Sequence, residues 1–127
     1  MTTTTTTAAA DTALLAELAA HRAHHGAAYR HHMDRARSST GAKAVAWAIQ
    51  ARAIALAWKQ DDQDSWASWY HGQDCAEQTA LHARNLAAGP DGDAAQTEAS
   101  DLVFGRSLSP ADLREVEVAL AQLAVEA

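Results

Sequence analysis

Two pairs of metal-competent side chains stand four residues apart in this chain: His21 with His25, and His71 with Cys75. On an α-helix, residues four apart occupy adjacent turns of one face, so each pair can offer two donor atoms to one ion. Three imidazole nitrogens and a thiolate make a tetrahedral set suited to zinc. His32 and His82 repeat the offset seven residues further on. At ~1.5 Å rise per residue they lie ~10 Å away, too far to join the same ion. The chain has no C-x-x-C, no H-E-x-x-H and no Glu-x-x-His pair, so neither a zinc-finger nor a di-iron pattern is present. Zinc is the one cofactor expectation. The plainer alternative makes the histidines part-exposed helix residues and Cys75 a small apolar one.

A second chemistry is anion binding. Arg35, Arg37, Ser39, Thr40, Gly41 and Lys43 crowd the start of a predicted helix. Free N–H groups at a helix start attract phosphate or carboxylate, and the basic side chains add charge. The segment lacks the leading glycine and terminal Lys-Ser/Thr of a Walker A loop. Ordinary N-capping by Ser39 or Thr40 is the competing explanation.

A third group is aromatic: Tyr29, Trp47, Trp58, Trp66, Trp69 and Tyr70. Such rings could stack on bases, but Asp61, Asp62, Asp64 and Asp74 surround the later ones and repel phosphate. Nucleic acid would have to use Arg22, Arg30, Arg35, Arg37, Lys43 and Arg52, and it ranks third among the partners considered. Packing, or contact between subunits, fits the rings better. Trp47, Ile54, Trp58, Trp66 and Trp69 are therefore the expected interface residues. Catalysis has little support. Cys75 lies beside Asp74 and Glu77, negative neighbours that repel the thiolate a nucleophile needs. No catalytic residue is assigned, and the expectation is a non-enzyme.

Helices must position all of these groups. Val, Ile, Phe and Tyr are few and never alternate over a useful length, so strands are not expected. Apolar spacing predicts a first helix over 12–37, capped by Asp11, with Leu14, Leu18, His25, Tyr29 and Met33 on one side. Gly26 interrupts its interior. A second helix is predicted over 42–60, with Val45, Ile49 and Leu56 on one face and Trp47, Ile54 and Trp58 nearly opposite. A helix apolar on two faces must be sandwiched. Acidic residues are disfavoured at a helix C-terminus. The run Asp61-Asp62-Gln63-Asp64 therefore predicts a break, with a third helix over 65–88. One continuous helix through the patch is the alternative. Gly89-Pro90-Asp91-Gly92 ends that stretch. A short helix over 94–103 follows. A last one starts at Pro110 with Ser109 as N-cap and Asp112 in its first turn.

The 127 residues suit one domain. Apolar residues make up 48%, but 33 are Ala, which leaves 28 larger ones for a core. A single cysteine excludes a disulfide scaffold. No apolar run is long enough for a membrane span. The Thr-rich start has neither a basic nor an apolar region, so it is not a secretory signal. With the free cysteine, that points to the cytoplasm. Residues 1–60 carry a balance of +4 and residues 61–127 one of −10, for a net −6. Complementary packing of the two halves is the simple explanation.

The expected architecture is an all-α compact bundle of four to five helices, up-down, over residues 11–127, after a disordered tail over 1–10. The expected function is a small binding or adaptor protein working through protein–protein contacts. It would pair as a homodimer through its Ala/Trp-rich helix. The alternative is a bundle that holds a metal ion or a small anionic, phosphorylated ligand.

Overall fold

The computed structural model describes residues 2–87 and 89–126, with side chains from Asp11 to Ala87 and from Gly89 to Ala124. It contains α1 (Thr2–Ser38), α2 (Gly41–Tyr70), α3 (Cys75–Ala87), α4 (Gly92–Phe104) and α5 (Pro110–Glu126), with no strand among the described residues. α1 takes in residues 2–10, where a loose tail was expected; their side chains, and Met1 altogether, lie outside the described residues. So does Ala88, the last residue of the expected third helix. Among the described residues, no helix is long and apolar enough to cross a membrane.

α2 is the centre. α1 runs antiparallel along it, bringing Leu14 and Leu18 to Trp66 and Trp69 at one end and His32 to Trp47 at the other. α4 also runs antiparallel to α2: Arg52 Nε donates to Ser100 Oγ at 3.0 Å, and Lys59 Nζ lies 3.0 Å from Asp93. α5 covers the first turns of α2. The alanines make this approach close. Ala44, Ala46, Ala48, Ala51 and Ala55 are fully buried, because a methyl side chain lets neighbouring helices pack near the α2 backbone.

Two apolar clusters hold the bundle. Tyr29, Met33, Ala51, Ala55, Trp58, Ala95 and Ala99 form one, joining α1, α2 and α4. Leu14, Leu18, Trp66, Trp69 and Leu81 form the other, at the far end, where α3 folds over. The sandwich expected for α2 is thus built within one chain.

The break in the middle of the sequence is displaced from its expected place. α2 runs unbroken through Asp61-Asp62-Gln63-Asp64 to Tyr70, and the chain turns at His71–Asp74 instead. Each acid has found its own partner, which outweighs the helix dipole. His25 pairs with Asp61, Asp64 accepts from Gln60 at 2.8 Å, and Asp62 accepts the Gly92 N–H at 3.0 Å. The turn itself needs Gly72, whose φ of +84° is left-handed. Asp74 then caps α3 by accepting the Glu77 N–H at 2.9 Å. The sequence Asp74-Cys75-Ala76-Glu77 carried this capping signal.

α5 starts as anticipated, and α4 starts at Gly92, two residues before the expected Ala94. Asp91 caps α4 by accepting the Ala94 N–H at 3.0 Å. At α5, Ser109 Oγ accepts the Asp112 N–H at 3.1 Å, and Asp112 accepts the Ser109 N–H at 3.2 Å, a reciprocal capping pair. The crossing of α4 over α2 depends on Gly92. A Cβ there would overlap the backbone of Trp58 and Lys59.

Candidate functional site

Where α1 ends and α2 begins, the two helices diverge and α5 closes the gap. The result is a cleft of about 460 Å³. α1 contributes His31, His32 and Arg35, and α2 contributes Lys43, Trp47 and Gln50. Ser39 closes the connection, and Leu123 supplies an apolar wall from α5. The spacing explains the convergence. His31, Arg35 and Ser39 are four apart along one face, and Lys43, Trp47 and Gln50 follow a second face at four and three.

Trp47 organises the cleft. Its ring meets His31 edge-on at 6.0 Å and His32 at 5.3 Å, and the Arg35 guanidinium sits 5.8 Å from its centroid. That last distance is a cation–π contact, which holds Arg35 without neutralising it. His32 donates through Nδ1 to the Ala28 carbonyl at 2.8 Å, so Nε2 is the nitrogen left for a ligand. Neither Arg35 nor Lys43 makes an ion pair, and no Asp or Glu lines the cleft, among the described residues.

The residues expected at an anion site are thus divided. Arg35, Ser39 and Lys43 meet in the cleft. Arg37 points elsewhere, to Glu98 on α4 and Asp34 on its own helix. Thr40 precedes α2 in an extended conformation without a side-chain cap bond, and Gly41 begins the helix at φ +60°. Neither lines the cleft. The sequence reading stopped at the connection and missed His31, His32 and Trp47, although their helical spacing from Arg35 and Lys43 was visible.

The four expected zinc ligands do not come together. His25 Nε2 lies 2.6 Å from Asp61 Oδ2, and this pair couples α1 to the middle of α2. The bond from His25, helped by the charges of His21, His25 and His24, holds the Asp61 carboxyl below its usual range. His71 and Cys75 are exposed at the α2–α3 turn. Since α2 continues to Tyr70, His71 lies beside Leu14 and Glu17 of α1, not beside His25. No group of three or more His, Cys, Asp or Glu among the described residues could hold a metal ion.

The expected interface rings are placed within the chain. Trp58, Trp66 and Trp69 are buried. Ile54 is half-buried against the α1–α2–α4 cluster, and Trp47 is half-buried in the cleft. Exposed apolar side chains lie elsewhere, chiefly Leu86, Phe104, Leu113 and Val118. Of the six basic residues considered for nucleic acid, Arg22 turns inward to the Asn85 carbonyl at 3.2 Å, and Arg52 contacts Ser100 and the Phe104 ring. They form no continuous basic face.

No protein-family model, curated protein or solved structure matches this chain.

Proposed function

We propose that this chain is a small non-enzymatic helical binding protein that holds a small phosphorylated anion in the Trp47 cleft. One observation carries the proposal. In a protein of net charge −6, the cleft gathers Arg35, Lys43, His31 and His32 with no acid among the described residues. Unpaired cations held close together repel each other, and a multiply charged anion relieves that repulsion. Ser39 and Gln50 add hydrogen-bonding groups, and the Trp47 ring gives a ligand an apolar surface. A volume of about 460 Å³ suits a small ligand better than a protein segment. Contact through the Trp-rich face has less behind it, since the chain itself covers three of those rings.

Calorimetric titration with inorganic pyrophosphate tests the proposal. Saturable one-to-one binding is expected, weakened at least ~10-fold by Arg35→Ala or Lys43→Ala. Both side chains are exposed, so folding should be kept. Arg84→Ala, at the other end of the bundle, should bind like the parent. Absence of heat at about 1 mM ligand, or equal weakening by Arg84→Ala, would refute it.

A further inference from the structure

A second hollow, of about 270 Å³, lies on the other flank of α1, between α1, α2 and the start of α4. Its floor is apolar and buried: Tyr29, Met33, Trp58 and Ala95. Tyr29 and Trp58 meet edge to face at 6.1 Å. The Tyr29 hydroxyl is already satisfied, donating to the Ala95 carbonyl at 3.1 Å. Burial, with Glu98 close by, pushes its pKa upward, so it stays protonated and neutral.

Three features are left without a structural purpose. First, the indole N–H of Trp58 is buried and has no acceptor, although the residue is only 3% exposed. A buried donor without a partner is costly. Second, Arg30 stands at the edge of the hollow with no acidic partner among the described residues, whereas Arg37 there is taken by Glu98. Third, Gly26 is a buried glycine in the interior of α1, where glycine weakens a helix relative to alanine. Packing does not demand it. A Cβ would meet Trp58 Cη2 at 3.7 Å, an ordinary contact, and the flexible Arg30 guanidinium at 3.2 Å. Its φ is not left-handed. The missing methyl leaves room beside the indole and the Arg30 tip.

These features specify a ligand. The orphaned indole N–H and the unpaired Arg30 guanidinium are both donors, so the ligand supplies an acceptor. With Glu98 committed to Arg37, the charge left over is the single cation of Arg30. The floor takes an apolar body. We propose that this hollow binds a small apolar monocarboxylate of roughly a dozen non-hydrogen atoms, an arylacetic acid being representative. Its carboxylate would meet Arg30 and, with a shift of the ring that uncovers it, the enclosed Trp58 N–H, and its body would lie on Met33 and the Trp58 ring. This site is independent of the Trp47 cleft, which gathers several cations for a multiply charged ligand.

The test is a proton–nitrogen NMR titration of the full chain with phenylacetate. Trp58→Phe assigns the indole signal of Trp58, and the Trp47 signal reports the other cleft. The Trp58 N–H should move downfield and saturate. Arg30→Ala, at an exposed position, should weaken binding at least ~10-fold, and phenylacetamide, which lacks the charge, should bind at least ~10-fold more weakly. Gly26→Ala should weaken binding while raising the thermal midpoint, a combination that a merely structural glycine would not give. An unmoved Trp58 signal at about 10 mM phenylacetate, equal binding of the amide, or movement of Trp47 alone would each overturn the proposal.

Discussion

At the scale of single residues, the middle of α2 shows how one acid stabilises and its neighbour does not. Asp61 is held below its ordinary value of 3.8 by the His25 bond. A lowered carboxyl pKa stabilises the fold above the unfolded value, and that stability is lost as the pH falls through the folded one. Asp61→Asn should therefore destabilise the protein at pH 7, by no more than about 1 kcal/mol because the pair is part-exposed. The difference from the parent should vanish once acid has protonated Asp61. Urea midpoints at several pH values would check this. Asp62 behaves oppositely: burial raises its pKa, partly offset by the Gly92 N–H. The asparagine variant keeps the acceptor and removes the buried charge, so it should be at least as stable as the parent at pH 7. Asp62→Ala strands the Gly92 N–H and should cost about 1–3 kcal/mol. Gly92→Ala must push α4 off the α2 backbone and should cost more than about 2 kcal/mol. A loss under a few tenths in chemical denaturation would show that α4 shifts freely.

At the scale of elements, the turn between α2 and α3 rests on two residues. Gly72→Ala places a Cβ in left-handed backbone and should cost about 1–2 kcal/mol. Asp74→Ala removes the α3 cap and should cost about 1 kcal/mol. Both should loosen α3, which is anchored by buried Leu81 and Asn85. Faster amide exchange confined to residues 75–87 would report it, while exchange spread evenly over the chain would contradict it. Much of this level was readable beforehand. The Ser109–Asp112 start of α5 follows from capping chemistry that acts within one turn; the Asp91 cap of α4 rests on the same chemistry, although the expected start was Ala94. The Asp61–Asp64 run misled because its partners, His25 and Gly92, lie about thirty residues away or more, beyond any local rule.

At the scale of the whole molecule, one chain covers its own aromatic face. Packing of α1, α4 and α5 along α2, with Leu81 of α3 against Trp66 and Trp69, leaves Trp58, Trp66 and Trp69 buried without a second copy, while Leu56 of α2 stays exposed. Indole emission should accordingly be blue-shifted and independent of protein concentration from about 1 to 100 µM, a range over which weak pairing would titrate. A concentration-dependent red shift on dilution would show that a partner copy shields these rings. The charge asymmetry is used within the chain in part. Arg37–Glu98, Lys59–Asp93 and Arg84–Asp11 all join the two halves, and the first two pair a cation of the basic half with an acid of the acidic one. Among the described cations without an ion pair, Arg30, Arg35 and Lys43 border the two hollows that flank α1.

The amino-acid order alone determined the helical class, the start of α5 and the need to cover α2 on both sides. These depend on propensity, capping and 3.6-residue periodicity, all local in the chain. Tertiary structure decided where α2 ends, which histidine meets which carboxylate, and that the zinc set does not gather. It also decided that His31, Arg35, Lys43 and Trp47 share one cleft. Each of those outcomes requires two helices to meet at a particular register. Register is set by the whole packed interface, not by the spacing of residues along either helix.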